Sequence, residues 1–149
     1  ALKARFGIPF LIHPSDAELV QNAPYSARIL GLPIYHLEIP TIDGHIRDGQ
    51  SIRVGTFEAR VIETPGHTAG GVCLYFESEK VLFSGDTLFR GSIGRTDFPG
   101  GEYETLVKSI REKLWILPDE TVVYPGHGEP TTIGLEKRFN PFVGELARS

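Results

Sequence analysis

The chain has 149 residues, of which 40% are hydrophobic, and its 15 basic and 19 acidic residues give a formal net charge of −4. This size suits one globular domain, and the scattered charges offer no basic cluster that would favour nucleic acid as a partner. No apolar run approaches the roughly 20 residues that cross a bilayer, so we expect no membrane partner either. The single cysteine, Cys73, cannot form an intrachain disulfide, and we therefore expect a cytoplasmic protein.

The first third of the sequence predicts short elements and a long connection. Residues 1–7 have the composition of a helix end, and the apolar residues 10–12 predict a short strand. Residues 15–18 have the Ser-x-x-Glu spacing of a capping box, which predicts a helix after them. Pro24 interrupts the next segment, and residues 31–49, with two prolines and little periodicity, predict irregular structure.

Two hairpins are predicted in the middle of the chain. Residues 51–63 contain a turn near Gly55, after which Phe57, Ala59 and Val61 alternate with polar residues, a pattern typical of a hairpin with one buried face. Residues 72–83 contain two strands that are apolar on both faces, joined by a charged turn. Such strands belong in the middle of a sheet.

The last third follows a glycine-rich loop and predicts two helices with a strand between them. One apolar stripe predicts an amphipathic helix over residues 102–114 that ends before Pro118 and packs on the sheet. A strand is predicted at residues 121–124 and a short helix at residues 134–139. The stripe of the first helix comprises Tyr103, Leu106, Val107, Ile110 and Leu114.

Three times the chain leaves a short apolar strand through a turn residue and a glycine, and each time a potential metal ligand follows: His67, Asp86 and His127. Each Gly-His or Gly-Asp pair could be an ordinary turn, because glycine and aspartate favour turns for backbone reasons alone. Loops at the ends of neighbouring strands converge, however, and three such units in one chain favour a shared site. Two histidines and one aspartate suit zinc, iron or manganese, and an aspartate can bridge two ions through its two oxygens.

Three motifs surround these residues: Thr64-Pro65-Gly66-His67-Thr68-Ala69-Gly70, Phe83-Ser84-Gly85-Asp86-Thr87-Leu88-Phe89 and Tyr124-Pro125-Gly126-His127-Gly128. They resemble the later motifs of metallo-β-lactamase-fold hydrolases of the glyoxalase II-like branch. The loop at residues 91–101 is similar to that of short members without the glutathione-binding helical domain. The resemblance implies an α/β fold, an αββα sandwich of which this chain represents the later part, with a largely antiparallel sheet.

The resemblance also implies a role for each matching residue. His67 corresponds to a ligand of the first metal, Asp86 to the catalytic carboxylate that bridges both metals, and His127 to a ligand of the second. It implies two divalent ions, with zinc expected and iron or manganese as alternatives. Arg95 corresponds to a basic position beside a thioester substrate, although an exposed loop arginine paired with Asp97 would have the same sequence.

The sequence departs from the family pattern at its start. It contains no His-x-His-x-Asp-His, the motif that supplies four of the seven ligands in the family, and His13, His36 and His45 lack the spacing to replace it. The chain has no methionine and begins at Ala1. We therefore expect about a quarter of a single domain, including its first strands, to precede Ala1 in the natural protein.

For the complete protein, the resemblance implies hydrolysis of a small-molecule thioester such as an S-acylglutathione by a metal-activated water. A persulfide dioxygenase of the same fold is the first alternative, in which His67 and Asp86 bind one iron and His127 does not. The second alternative is a non-catalytic domain that has lost its metal site. Retention of all three ligand-type residues argues against that reading.

Overall fold

The computed structural model describes residues 2–29 and 39–147, and it divides into two compact units, residues 1–46 and residues 47–149. Residues 31–38 of the connection predicted as irregular, which include His36, therefore lie outside the described residues. Within the part of the chain that is described, no helix is long and apolar enough to cross a membrane.

The first unit contains short helices and one small sheet. Lys3 joins the two ends of this unit, because its ammonium group donates to the Asp43 carboxylate at 2.5 Å and to the Thr41 carbonyl at 2.6 Å. The Asp43 pKa is lowered by this lysine and by the Phe10 backbone N–H. The elements are α1 (Leu2–Phe6), β1 (Leu11–Ile12), a 3₁₀ turn (Pro14–Asp16), α2 (Ala17–Gln21), α3 (Ala23–Ile29) and β2 (Gly44–His45), which pairs in parallel with β1.

Three details of this unit differ from the sequence predictions. A helix follows as predicted, but the capping box is wrong, because the N-cap of α2 is Asp16 and not Ser15. The Ser15 N–H instead donates to Nδ1 of His13 at 3.2 Å, which caps the 3₁₀ turn. Pro24 lies in the first turn of α3, where the missing N–H leaves no helical bond unmade. Strand β2 lies in the segment predicted as irregular, since a two-residue strand has no periodicity to detect.

The second unit is built on a six-stranded sheet in the order β10-β9-β6-β5-β4-β3. Its neighbouring strands are antiparallel except for β6 and β9, which are parallel, so the predicted largely antiparallel sheet is confirmed. Both predicted hairpins are present, and the second lies in the middle of the sheet. The strands are β3 (Ser51–Val54), β4 (Phe57–Glu63), β5 (Val72–Phe76), β6 (Val81–Gly85), β9 (Val122–Pro125) and β10 (Thr131–Thr132), with a separate hairpin of β7 (Leu88–Phe89) and β8 (Ser92–Ile93).

Two helical segments pack on one face of this sheet. Helix α4 (Tyr103–Ser109) continues as a π-helical turn (Ile110–Leu114), and α5 is Ile133–Phe139. The predicted stripe is confirmed except for Tyr103, which is 44% exposed. The core between helices and sheet contains Ile62, Cys73, Tyr75, Leu82, Leu88, Leu106, Ile110, Leu114, Val123 and Ile133.

The opposite face of the sheet is also apolar, but part of it is exposed. Ala59 and Val61 are buried as predicted, whereas Phe57 is 51% exposed, so the predicted buried face of this hairpin is only partly correct. Phe83 stacks on Tyr124 across the parallel strand pair with ring centroids 5.6 Å apart, and both rings are more than 40% exposed.

Candidate metal centre

Strand direction explains why three distant segments of the chain meet at one edge of the sheet. Strand β4 is antiparallel to β5, β5 is antiparallel to β6, and β6 is parallel to β9. Strands β4, β6 and β9 therefore run in the same direction and end at the same edge. His67, Asp86 and His127 follow these three ends, so the topology itself brings them together.

The carboxylate of Asp86 lies between the two imidazoles. Its Oδ2 is 3.6 Å from Nε2 of His67, and its Oδ1 is 3.9 Å from Nε2 of His127. Two tetrahedral ligands with metal bonds of about 2.1 Å would lie about 3.4 Å apart, so each oxygen–nitrogen pair nearly fits one ion. Among residues 2–29 and 39–147, no group of three or more His, Cys, Asp or Glu side chains is arranged to hold a metal. This chain therefore offers two donors to each candidate metal position.

Glycines keep the space around Asp86 open. A Cβ atom on residue 126 would lie 2.5 Å from Oδ1 of Asp86, and a Cβ atom on Gly94 would overlap the Asp86 carbonyl and lie 3.1 Å from Cβ of His67. Neither position can carry a side chain without moving a ligand-type residue. The backbone around the site therefore leaves room for these side chains, and their imidazole nitrogens and carboxylate oxygens are donors that suit a divalent metal.

A backbone carbonyl fixes the orientation of the His67 ring. Nδ1 of His67 lies 2.9 Å from the Arg95 carbonyl oxygen. A carbonyl can only accept, so Nδ1 is the donor in this contact, and Nε2 is the ring nitrogen that faces Asp86. The ring of Phe98 meets the imidazole edge-on with centroids 5.1 Å apart. Hydrogen bonding at one ring nitrogen is how proteins set the tautomer of a metal-binding histidine.

The loop before His67 is held by the α4 segment. The Glu102 N–H donates to the Gly66 carbonyl at 2.8 Å, the Ser109 hydroxyl to the Pro65 carbonyl at 2.8 Å, and the Lys113 ammonium to the Glu63 carbonyl at 2.7 Å. These contacts were not predicted, because the apolar stripe of the helix indicates only which face packs on the sheet. A small hydroxyl residue such as Ser109 next to that stripe was the available signal.

His127 is held by a ring contact on the other side of the site. Its side chain is 76% exposed and stacks on Phe89, with ring centroids 4.4 Å apart and planes inclined by 28°. Phe89 ends β7, an element that the sequence analysis treated as part of a loop. The two-residue strand β7 therefore supplies the aromatic ring on which the His127 imidazole stacks.

The three residues line a cavity of about 370 Å³. Arg95 also lines it, and its Nε and Nη2 donate to the two carboxylate oxygens of Asp97 at 2.7 and 2.9 Å. The arginine therefore lies at the site and is also paired with Asp97. The hydrogen bonds from the guanidinium lower the pKa of the Asp97 carboxyl group. The remaining lining residues are Phe89, Arg90, Ser92, Ile93, Gly94, Gly128 and Glu129.

Cys73 is not placed to act as a nucleophile. It is fully buried in β5, and burial raises the pKa of its thiol to about 11. Its sulfur contacts the Thr64 hydroxyl at 3.4 Å and does not line the cavity. A buried neutral thiol is a poor nucleophile.

Residues 1–127 match the family model of the Metallo-beta-lactamase superfamily. The chain belongs to this superfamily. It is 46% identical over 147 residues to an uncharacterized protein of Aquifex aeolicus, and the match covers 97% of this chain and 68% of that protein. It is 41% identical over 143 residues to the hydroxyacylglutathione hydrolase GloC of Haemophilus influenzae, covering 95% of this chain and 67% of the relative.

Solved structures agree with this assignment. The B3 metallo-beta-lactamase BLEG-1 superposes with a TM-score of 0.84 at 40% identity, and a di-iron-bound form of TTHA1623 with 0.82 at 40%; each match covers 95% of this chain and 68% of the other. ETHE1 from Myxococcus xanthus gives 0.66 at 31% identity, covering 85% of this chain and 58% of that one. The predicted α/β fold of metallo-β-lactamase type is confirmed, and this is a fold that binds divalent metals.

Proposed function

We propose that the protein is a hydrolase of thioesters such as S-acylglutathione and that His67, Asp86 and His127 contribute ligands to two divalent metal ions. The observation that carries the proposal is the position of Asp86, whose two oxygens each face a different imidazole at 3.6 and 3.9 Å. A carboxylate between two histidines suits a bridge between two ions better than a ligand of one.

The relatives support the choice of reaction, and they bear on the identity of the native metal. A relative at 41% identity is named hydroxyacylglutathione hydrolase, which is a thioester-hydrolysing enzyme by its name. A solved relative at 40% identity holds two irons. Zinc is our first proposal for the native metal, with iron or manganese as alternatives that the same nitrogen and oxygen donors accept.

The residues of this chain have separable tasks in the proposed reaction. Bound divalent ions lower the pKa of water from about 16 towards 7 and polarise a carbonyl, which supplies a nucleophile at neutral pH. His67 presents Nε2 because its Nδ1 is engaged by the Arg95 carbonyl, and Asp86, which lies between the two imidazoles, would offer one oxygen to each ion. Arg95 lies at the cavity beside them, where we propose that it borders the thioester group.

A mononuclear iron persulfide dioxygenase is the second candidate, favoured by the likeness to ETHE1 from Myxococcus xanthus. In that reading His67 and Asp86 bind iron and His127 stands outside the coordination shell. The nearness of His127 to the free oxygen of Asp86 favours the dinuclear site instead. A non-catalytic domain is the least supported reading, because it gives no reason for these three side chains to converge.

The test uses a protein in which a segment carrying His-x-His-x-Asp-His precedes this chain. Metal content, hydrolysis of S-acylglutathione and oxygen uptake with a persulfide are measured on the same preparation. We expect two metal ions for each chain and thioester hydrolysis without oxygen uptake. One iron with oxygen uptake and no hydrolysis would reject the proposal in favour of the dioxygenase.

A further inference from the structure

Two arginines line the cavity, and their ion pairs differ in geometry. Arg95 makes a bidentate pair with Asp97, and its guanidinium also lies over the Phe98 ring at 5.5 Å from the centroid. Arg90 makes a single contact, from Nη1 to Oε2 of Glu129 at 2.8 Å. A guanidinium has five N–H donors arranged as a planar fork that fits a carboxylate or phosphate. Arg90 therefore keeps more of its fork available at the cavity than Arg95 does.

The Arg90 pair is also the easier of the two to exchange. The side chain of Arg90 is 58% exposed and that of Glu129 is 77% exposed, and single ion pairs between exposed groups contribute little stability. Arg95 and Asp97 lie two residues apart in one loop, so their two parallel hydrogen bonds close a short ring within that loop. An incoming anion would replace Glu129 on Arg90 more readily than Asp97 on Arg95.

The backbone that carries Arg90 is fixed although its side chain is exposed. The next residue, Gly91, donates its N–H to the Glu136 carboxylate at 2.9 Å, and the Ser92 carbonyl accepts from the Asn140 amide at 3.0 Å. The side chains of Glu136 and Asn140 are only 2% and 1% exposed, and both contacts are partly buried. The hairpin of β7 and β8 is thus attached to α5 and the residue that follows it, which positions the backbone at Arg90.

We propose that Arg90 binds an anionic group, a carboxylate or a phosphate, on the thiol carrier of the substrate, and that this group takes the place of Glu129. Arg95 keeps Asp97 and lies beside the thioester itself, so it does not distinguish charged carriers from neutral ones. The inference rests on the proposed function for the identity of the ligand as a thiol carrier. It adds to that function a residue that selects anionic carriers.

The experiment measures binding to the 149-residue chain without any catalytic step. S-hexylglutathione, the same thioether esterified at both carboxylates, and a hexyl thioether of coenzyme A are titrated separately while chemical shifts of the cavity residues are followed. We expect S-hexylglutathione or the coenzyme A thioether to bind roughly tenfold more tightly than the diester, the size of one charge-assisted hydrogen-bonded contact. If S-hexylglutathione is the ligand that binds more tightly than the diester, the bound anion is a carboxylate. If the coenzyme A thioether is that ligand, the bound anion is a phosphate.

Variants then assign that preference to one arginine. Arg90→Gln should abolish the preference for the anionic ligand, Arg90→Lys should restore part of it, and Glu129→Gln should strengthen it by releasing the guanidinium. Arg138→Gln is the matched control, because Arg138 is also exposed and makes one ion pair, with Asp119 at 3.2 Å, but does not line the cavity. It should leave the ratio between the anionic ligand and the diester unchanged. The proposal is overturned if the wild-type chain shows no preference, if Arg90→Gln retains it, or if Arg95→Gln or Arg138→Gln removes it equally. Because no hydrolysis is measured, failure of the proposed reaction leaves this result interpretable.

Discussion

Gly126 leaves open the space that the Asp86 carboxylate occupies, since a Cβ atom on residue 126 would lie 2.5 Å from Oδ1. That oxygen ends a rotatable side chain which is 41% exposed, so Gly126→Ala should turn the carboxylate away from His127. The added Cβ would also lie 3.3 Å from the Gly85 backbone, which must shift slightly. In a protein with the full ligand set, we expect metal affinity to fall at least about tenfold, the usual effect of disturbing a ligand's surroundings. Competition with a chromogenic chelator measures it.

The control for Gly126→Ala is Gly55→Ala in the turn between β3 and β4. Gly55 has a φ of +61° and nothing within 4 Å of its Cβ position, so alanine there strains the backbone without meeting a neighbour. It should lower the free energy of unfolding by about 1 kcal/mol and leave metal affinity unchanged. Equal metal affinity in both variants would show that residue 126 does not control Asp86.

Phe89 is predicted to orient His127. Phe89→Leu removes the stacked ring at 4.4 Å and leaves a mostly exposed imidazole free to rotate, so the affinity for the second metal should fall severalfold. Phe139→Leu is the control, because that ring is 60% exposed on α5. The two metal-binding steps are followed by titration of the protein with the full ligand set. A loss confined to the first step would contradict this role.

Much of the fold could be predicted because long elements carry strong patterns. The two hairpins and the stripe of α4 were found from periodicity, and the ligand-type residues were found because each follows a strand and a glycine. The short strands β2, β7, β8 and β10 were missed, since two residues show no alternation. Sequence patterns also could not show that the Arg95 carbonyl holds His67, because a backbone acceptor has no sequence signature.

The capping box failed for a related reason. The spacing of Ser15 and Glu18 satisfied the motif, but the imidazole of His13 accepts from the Ser15 N–H, which in a capping box would donate to the Glu18 side chain. The exposure of Phe57 was missed because alternation indicates which residues share a face and does not show whether that face is covered. Tertiary surroundings decide such cases, and local sequence does not contain them.

Cys73 should resist modification in the folded protein. Its pKa of about 11 leaves little thiolate at pH 8, and the side chain is fully buried. We expect an aromatic disulfide reagent to react more than about a hundredfold more slowly with the native chain than with a free thiol. The urea-unfolded chain serves as the control and should react at the full rate. Rapid reaction of the native protein would show that β5 opens easily.

Glu102 should make stability depend on pH. It caps α4 by accepting from the N–H groups of Thr105 and Glu104, and these hydrogen bonds, led by that from Thr105, lower its pKa. A carboxyl group whose pKa is lower in the folded state stabilises the fold above its unfolded pKa of about 4.3, and this stabilisation is lost as the pH falls through the folded value.

The measurement compares Tm for wild type and Glu102→Gln between pH 7 and pH 3. Asp43, Asp97 and Glu120 also have lowered pKa values, so both proteins lose stability in acid and only their difference reports on Glu102. We expect wild type to have the higher Tm at pH 7 and the difference to shrink as the pH falls below the unfolded pKa of about 4.3. A difference that stays constant over this range would assign the cap a role independent of its charge.

His127 separates the two enzyme readings most directly, in the protein that also carries the His-x-His-x-Asp-His segment. For a dinuclear thioesterase, His127→Ala removes a ligand of the second metal and should reduce hydrolysis at least about a hundredfold, or near 3 kcal/mol of barrier. Asp86→Ala should be more damaging, because its oxygens face both imidazoles. For a mononuclear dioxygenase, His127→Ala should instead leave one iron bound and oxygen uptake intact. Metal analysis and both activity assays on the two variants decide between these outcomes, and loss of activity in Asp86→Ala alone would place His127 outside the metal shell.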